Sequence, residues 1–256
     1  MRRSAHGTQE TPPTAADAFR HLPELRERIT PAQASGLRVT PETLALWDER
    51  ARTEGRPANW RLSDQELEAS HRALLGGLDA QHDLWIYSYG SLMWDPGFHF
   101  DEVRLADLHG HRRRFLFRTT LGRGSPERPG LMLSLEAGPG ACRGLAFRVG
   151  CAARHTESVC VWRREMIRGS YRPALLPVHT PQGEVVALVF AANHAHPDHV
   201  GELPLQQTAA MIATASGFLG TNRQYLEQLA AQLHSLGIDD DYVTQLLQQV
   251  QVQAAA

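Results

Sequence analysis

A glutamate at the edge of a predicted helix is well placed in this sequence to move a proton. The spacing of residues 156–168 predicts a helix, which Gly169 would end. At roughly 100° per residue, three apolar side chains share one face: Val159, Trp162 and Met166. Glu165 lies about 80° from the centre of that face, where its carboxylate would be partly desolvated. Desolvation raises the pKa of a carboxyl group and makes it a proton acceptor.

An ion pair is the alternative interpretation of Glu165. Three nearby arginines could supply the partner: Arg163, Arg164 and Arg168. The position of the residue alone does not distinguish a proton acceptor from a structural ion pair.

A histidine-rich segment at residues 193–199, NHAHPDH, is the second candidate. Its potential metal ligands follow the order H-x-H-x-D-H: His194, His196, Asp198 and His199. This order resembles the zinc-binding signature of metallo-β-lactamase-like hydrolases, which implies further ligands downstream. Only His234 follows, inside an amphipathic helix, and the strands that such a fold needs after the motif are missing. A solvated loop is the preferred interpretation, and a zinc hydrolase is a distant alternative.

Three further patterns concern loops. Residues 118–130, RTTLGRGSPERPG, are rich in glycine but match no phosphate-binding pattern. Ser91 lacks the second glycine of the G-x-S-x-G hydrolase motif. The stretch WIYSYGSLMW at 85–94 has the character of a buried strand that stops at Gly90-Ser91. This stop indicates either an ordinary turn or a loop whose bare N–H groups bind a ligand.

Short strand-like runs and flanking helices must position these residues. The runs lie at 84–89, 114–118, 131–135, 144–149, 173–178 and 184–190. Because Gly/Pro-rich turns separate them, they predict a compact sheet or small barrel. Three C-terminal helices are predicted, at 205–216, from the capping box Thr221 to Gln224 as far as Gly237, and at 242–252.

Residues 1–80 are predicted to form an extension to a domain at 81–256. The first 40 residues or so are rich in Thr, Pro, Ala and charge, which predicts a partly disordered and loosely attached segment. Three helical elements are expected in the extension: one within 15–29 broken near Pro23, one from Thr40-Pro41, and one from the capping box Ser63 to Glu66.

Composition argues against several classes of partner. With 26 basic and 28 acidic residues, the net charge of −2 gives no reason to expect nucleic acid or an anionic membrane. No apolar run approaches the roughly 18 residues of a membrane span. The three cysteines suggest neither a disulfide framework nor a zinc knuckle. Because no apolar segment follows Arg2-Arg3, no secretory signal is expected, and the predicted location is the cytoplasm.

Taken together, four segments resemble the ChaC family of glutathione-specific γ-glutamylcyclotransferases. They are WIYSYGSLMWDP (85–96), GHRRRFLFRTTLGRGSPERPG (110–130), VWRREMIRGSY (161–171) and ASGFLGTNRQYLEQL (215–229). They follow the family's order within residues 83–250. The resemblance implies an α+β fold, a small mixed β-barrel of the γ-glutamylcyclotransferase-like type with peripheral helices, here preceded by the N-terminal helical extension.

The resemblance also implies a cofactor-free lyase reaction on a small molecule, glutathione. The γ-glutamyl group would cyclise to 5-oxoproline and release Cys-Gly, with Glu165 as the general base and no metal. The implied substrate-binding residues are Ile86, Tyr87, Ser88, Tyr89, Gly90 and Ser91, with Tyr171 as a further pocket residue. Ser88 departs from the family's usual glycine, so its side chain would narrow the pocket or add a hydrogen bond.

Two points stay open from the sequence. Arg118 and Arg123 are the candidates for binding the carboxylate of Cys-Gly. The alternative to an enzyme is a non-catalytic or redirected γ-glutamyl-binding module, and the presence of Glu165 favours the enzyme.

Overall fold

The structure is a computed structural model that describes residues 17–79 and 81–255 of the 256-residue chain. Part of the segment predicted to be loosely attached, residues 1–16, lies outside the described residues. In the part that is described, six α-helices surround a closed five-stranded barrel. The predicted α+β fold is confirmed.

The barrel strands form where the sequence is apolar or alternating. Their bounds are β1 Leu84–Ser88, β2 Glu102–Thr119, β3 Gly130–Val149, β4 Tyr171–Thr180 and β5 Gly183–Ala192. They are hydrogen-bonded in the order β1-β3-β2-β4-β5. Neighbours along this order are antiparallel, whereas β5 runs parallel to β1 and to β3. These parallel pairings close the sheet, and closure removes exposed strand edges.

Strands β2 and β3 form a long hairpin whose length the sequence does not predict. The runs at 131–135 and 144–149 both belong to β3, so their separation into two strands is wrong. The Gly-Pro-Gly segment between them bends the strand without ending it, since Gly140 adopts a φ of 89°. The register shifts between His109 and His111 on β2. Such irregularities increase local twist and allow a long hairpin to curve around a small barrel.

Helices cover the barrel on several sides. Their bounds are α1 Pro41–Thr53, α2 Asp64–Leu75, α3 Arg154–Glu165, α4 Leu205–Thr214, α5 Asn222–Ser235 and α6 Asp241–Ala255. Thr40, Ser63 and Thr221 cap α1, α2 and α5, because each side-chain oxygen accepts a hydrogen bond from a backbone N–H of the first turn. Two short strands precede α5, β6 Ser216–Gly217 and β7 Gly220–Thr221.

Helix α3 is shorter than predicted. It ends at Glu165, and the three residues after it, 166–168, form a turn. Gly169 has a φ of 71° and ends this turn rather than the helix. Trp162 is buried as its position on the apolar face predicts, but Val159 is only half-buried. The carboxylate of interest therefore lies in the last turn of a helix, where the chain changes direction.

Residues 17–79, called here the N-terminal arm, pack against the barrel. Leu25 and Val39 are fully buried. Arg38 donates two hydrogen bonds, of 2.6 and 3.0 Å, to the carboxylate of Glu157 on α3. The loose attachment expected for the first 40 residues is therefore wrong for residues 17–40. The division of the chain at residue 80 stays a prediction.

One continuous apolar cluster connects the arm, the barrel and the C-terminal helices. It extends from Leu25 in the arm to Val250 in α6. Within it, Phe98 and Phe147 meet edge to face with ring centroids 5.7 Å apart, a favourable aromatic geometry. Among the described residues, no helix is both long and apolar enough to cross a membrane.

Ser88 provides a test of packing in β1. Its side chain is fully buried, and its hydroxyl has no hydrogen-bond partner among the described residues. An unsatisfied buried polar group costs about 1–3 kcal/mol. Ser88→Ala should therefore raise the free energy of unfolding by about 1 kcal/mol in urea denaturation.

The matched control is Ser158→Ala. Ser158 is also buried, but its hydroxyl hydrogen-bonds the His71 ring and the His155 carbonyl. This control should lose stability because its partners become unsatisfied. If Ser88→Ala lost as much stability as the control, the Ser88 hydroxyl would have a partner after all.

Candidate active site

Glu165 ends α3 with its carboxylate turned into the protein. Its side chain is only 14% exposed. Burial raises the pKa of this carboxyl group above its ordinary value, and the positive charge of Arg164 opposes the rise. The nearest approach, Glu165 Oε1 to Arg164 Nε, is 3.3 Å. Glu165 thus shows both environments predicted from the sequence: it is desolvated, and it pairs with one of the three arginines. Desolvation has the larger effect on its pKa.

Arg164 connects this helix end to the loop that follows β1. One terminal nitrogen donates to the Asp95 carbonyl at 2.6 Å, and the other donates to Ser91 Oγ at 2.9 Å. Residues Ser91–Met93 form a short 3₁₀ helix directly after Gly90. The Arg164 guanidinium interacts with both the loop and the Glu165 carboxylate. It therefore holds the loop in place but neutralises the charge of Glu165 only in part.

Three tyrosines lie close enough to Glu165 for its charge to affect them: the buried Tyr89 and the half-buried Tyr171 and Tyr225. Burial raises the pKa of each phenol, to about 12 for Tyr225, and the negative charge of Glu165 adds to each rise. All three are therefore neutral at physiological pH and retain their O–H donors. The Tyr171 hydroxyl donates to the Leu133 carbonyl and that of Tyr89 to the Phe190 carbonyl, both at 2.9 Å.

A cavity of about 380 Å³ opens beside these groups. Three of the predicted site residues line it: Ser91, Glu165 and Tyr171. The remaining predicted site residues do not line it: Ile86, Tyr87, Ser88, Tyr89 and Gly90. The Tyr87 hydroxyl is used within the barrel, since it donates to the Cys142 carbonyl at 2.6 Å. The β1 residues Ile86, Tyr87 and Ser88 therefore belong to the barrel wall and not to the cavity lining, and Ser88 does not narrow the cavity.

A larger cavity, of about 490 Å³, lies between α2 and α3. It is lined by His71, His155 and Arg163 among others, but not by Glu165 or the loop at Ser91. Size alone would favour this cavity as the active site. The smaller cavity is the better candidate because Glu165 and three hydroxyl-bearing residues line it together: Ser91, Tyr171 and Tyr225.

Sequence reasoning missed two members of the site, Arg164 and Tyr225. The sequence indicates Arg164 only as an ion-pair partner of Glu165, although it also hydrogen-bonds Ser91. Tyr225 lies in the first turns of α5, directly after the capping box that begins at Thr221. That box fixes where α5 starts and hence which residues of its first turns face the barrel. The signal in the sequence is an aromatic residue at this position, within the segment 215–229 that resembles the family.

The two arginines proposed for a substrate carboxylate differ in location. Arg123 lines the cavity, and its guanidinium donates to the Thr221 carbonyl at 3.2 Å. Burial lowers the pKa of the Arg123 guanidinium. Arg118 lies outside the cavity lining, with its side chain 53% exposed and 4.0 Å from Asp198.

The histidine-rich segment makes structural contacts instead of converging on one point. His194 pairs with Glu136 at 2.8 Å, and His196 Nε2 lies 2.9 Å from the Arg168 carbonyl. Asp198 accepts a hydrogen bond from Arg168 at 2.9 Å. Across residues 17–79 and 81–255, no three side chains of the metal-ligating types form a group that could hold a metal ion.

Comparisons with known proteins agree with the fold and the motifs. The family model described as "ChaC-like protein" matches residues 84–253. The chain belongs to the ChaC-like family. It is similar to the glutathione-specific gamma-glutamylcyclotransferase of Escherichia coli (strain K12), at 39% identity over 186 residues, which are 72% of this chain and 80% of that protein. It is 33% identical to the glutathione-specific gamma-glutamylcyclotransferase 1 of Mus musculus, over 57% of this chain and 68% of that protein.

A solved structure has the same fold as this ChaC-like chain. The yeast gamma-glutamyl cyclotransferase specific to glutathione superposes with a TM-score of 0.61 at 22% identity, covering 66% of this chain and 96% of the yeast chain. The predicted γ-glutamylcyclotransferase-like barrel is thereby confirmed. The family match begins at residue 84, so the N-terminal arm lies before it.

Gly90 gives a test of the close approach between the loop and α5. A Cβ atom at this position would lie 3.0 Å from the Tyr225 hydroxyl and 3.2 Å from Leu133 Cδ2. Gly90→Ala should therefore lower the free energy of unfolding by about 1–3 kcal/mol through overpacking. Combining it with Tyr225→Phe, which removes the hydroxyl, should recover part of that loss in a double-mutant cycle.

Gly36→Ala is the control, because a Cβ at Gly36 would meet nothing within 4 Å. That variant should leave stability within about 0.5 kcal/mol of wild type. Strictly additive effects of Gly90→Ala and Tyr225→Phe would show that the hydroxyl and the loop do not touch.

Proposed function

We propose that this protein is a lyase that cyclises the γ-glutamyl group of glutathione, forming 5-oxoproline and releasing Cys-Gly. The observation that carries the proposal is the buried Glu165 carboxylate, whose pKa is raised by burial and which lines a cavity beside a polar loop. The similarity to glutathione-specific relatives in bacteria and mammals supports the same substrate.

The reaction needs little more than a folded substrate and a proton acceptor. The α-amine and the γ-carbonyl carbon belong to one molecule, and their union closes a five-membered lactam. Well-oriented intramolecular attack reaches effective molarities of about 10⁵ M or more. As the new C–N bond forms, the bond from the γ-carbon to the cysteine nitrogen breaks. Two protons leave the attacking nitrogen and two reach the departing nitrogen, so the overall reaction releases none.

Glu165 is proposed to carry these protons. It accepts a proton from the substrate ammonium, which cannot attack while protonated, and it returns a proton to the departing amine. The raised pKa suits both tasks: a carboxylate with an ordinary pKa would be a weaker base for the first transfer, and it would rarely hold the proton needed for the second.

The loop and the hydroxyls are proposed to hold the negative charges. The substrate α-carboxylate and the oxyanion of the tetrahedral intermediate both need donors. Ser91, held in place by Arg164, and the O–H of Tyr225 border the cavity and are suitable donors. Residues 86–90 are proposed to act by positioning this loop, and Tyr171 by forming the wall next to Glu165.

Further assignments belong to the same proposal. The proton transfers above are complete with the side chains named, so the reaction is proposed to proceed without a cofactor or metal. We place it in the cytoplasm, where glutathione is abundant, and assign no nucleic acid or membrane partner.

The function is tested by incubating the purified protein with glutathione in the presence of EDTA. Equal amounts of 5-oxoproline and Cys-Gly, followed by mass spectrometry, are expected. Glutamate in place of 5-oxoproline would mean hydrolysis, and loss of product with EDTA would mean a metal enzyme. Either result would overturn the proposal.

Replacing Glu165 by Gln tests the proton acceptor. This variant keeps the shape of the side chain but cannot accept a proton, so the rate of 5-oxoproline formation should fall by about 100-fold or more. Glu157→Gln on the same helix is the control. It weakens the pair with Arg38 and should lose stability while its folded fraction stays active. Full activity in Glu165→Gln would exclude Glu165 as the base.

The same variant makes a prediction about pH and stability. Because the folded pKa of Glu165 is raised above its ordinary value of 4.5, the folded state binds the proton more tightly than the unfolded chain does. Wild-type stability should therefore fall as pH rises from the ordinary value through the raised one. Glu165→Gln should unfold at a higher temperature than wild type at about pH 8, and this advantage should shrink toward about pH 5. Differential scanning calorimetry measures the two unfolding temperatures. If the advantage of Glu165→Gln over wild type grew toward low pH, the pKa of Glu165 would be lowered and not raised.

A further inference from the structure

The N-terminal arm forms part of the candidate active-site cavity. Its lining includes three charged residues of the arm: Arg50, Glu54 and Arg56. The family match begins only at residue 84, so these residues are additions to the matched domain. An element outside that domain therefore shapes the space in which a substrate would lie.

Three charged side chains at and just after the end of α1 contribute to this wall: Arg50, Glu54 and Arg56. Glu54 accepts a hydrogen bond from Arg50 at 2.7 Å and another from Arg56 at 3.0 Å. Both arginines lower the pKa of Glu54, chiefly through these hydrogen bonds, so it is a carboxylate at neutral pH. Two cations and one anion leave a net charge of about +1, and Arg123 on the same cavity makes the region more positive.

Arg56 is held in place for contact with an anion. Its side chain is 16% exposed, and one terminal nitrogen donates to the Thr120 carbonyl at 2.9 Å. Its other terminal nitrogen has no hydrogen-bond partner within the described ranges. The neighbouring Arg50 stacks on the Phe218 ring at 4.1 Å from its centroid, which fixes that guanidinium as well.

Arg50 and Arg56 contact one part of the cavity wall, whereas Glu165 and Ser91 lie in another part. Arg56 contacts the loop at Thr120, Arg50 contacts Phe218, and the Leu219 N–H donates to the Gly122 carbonyl at 2.9 Å, so the three segments form one unit. Arg164, in contrast, hydrogen-bonds Ser91 and Asp95 beside Glu165.

We propose that Arg56, assisted by Arg50, binds the C-terminal carboxylate of the peptide that leaves in the reaction. This inference rests on the proposed function, because a γ-glutamyl peptide such as glutathione carries two carboxylates. The γ-glutamyl carboxylate is assigned to the loop at Ser91. The second lies at the far end of the leaving peptide, and an arginine with free donors is the matching partner. The arm thereby selects substrates by the charge of their leaving group.

The test pairs a side-chain change with a substrate change. Arg56→Gln is compared with wild type on glutathione and on glutathione whose glycine carboxylate is an amide. Loss of one charged hydrogen bond corresponds to about 10-fold to 100-fold in affinity. For glutathione the KM of Arg56→Gln should rise by that factor with kcat nearly unchanged. For the amide, wild type and variant should have the same KM.

Arg52→Gln, in the last turn of α1, is the matched control. Arg52 pairs with Glu49 and its side chain is 74% exposed, so this variant should behave as wild type on both substrates. An equal rise in KM for glutathione and for its amide in Arg56→Gln would mean a loss of structure and would overturn the proposal. An unchanged KM for glutathione would also overturn it.

A binding measurement separates this inference from the proposed function. Calorimetry with Glu165→Gln protein, with and without Arg56→Gln, gives the affinity for glutathione and its amide without any turnover. Tighter binding of glutathione than of the amide, lost with Arg56→Gln, supports the carboxylate site even if wild type forms no 5-oxoproline. Equal affinities for the two compounds in the presence of Arg56 would refute the site by themselves.

Discussion

Burial of one carboxylate next to one shared guanidinium is the constraint on which the site depends. A buried carboxylate with a full ion pair would have a lowered pKa, and a fully exposed one would be ordinary. Glu165 has neither environment, because Arg164 also hydrogen-bonds the loop at Ser91. The protein therefore carries an unfavourable buried charge at the residue proposed as the proton acceptor. Such local instability at functional sites is compensated by the surrounding structure.

The surrounding structure supplies that compensation through α3. Trp162 anchors the helix in the core and donates its indole N–H to Ser70 on α2 at 3.0 Å. Glu157, one of the few buried charges, is fully paired with Arg38 of the N-terminal arm and also accepts from the His99 N–H at 2.9 Å. Two glutamates on one helix thus have opposite pKa shifts. Glu157 has a lowered pKa, because its hydrogen bonds together outweigh its burial, whereas that of Glu165 is raised because burial outweighs a single cation.

The sequence predicts local features well and non-local ones poorly. The capping residues of α1, α2 and α5, the β1 strand and the position of Glu165 on a buried face all depend on neighbours within a few residues. The continuity of β3 through Gly-Pro-Gly depends on pairing with β2, and the end of α3 depends on contacts made after the chain has folded. Tyr225 and the arm arginines reach the cavity only through tertiary packing, which no periodicity encodes.

The arm illustrates the limit most clearly. Its composition predicts disorder for the first 40 residues, but Leu25 and Val39 are buried and Arg38 pairs with the catalytic-candidate helix. Burial of a few apolar side chains and one ion pair overrides a polar composition, because the barrel presents complementary surface. The consequence is a cavity with walls from two sources: the family's own barrel and an additional segment before it.

A direct measurement of the Glu165 carboxyl group tests the central claim. Its side-chain ¹³C signal, assigned by its loss in Glu165→Gln, can be followed by NMR through a pH titration of the free protein. We predict a midpoint above the ordinary 4.5 of glutamate, and the same midpoint on the acidic limb of kcat/KM for 5-oxoproline formation. A midpoint at or below the ordinary value would contradict it, since the carboxylate would then be held by its ion pair and not by its burial.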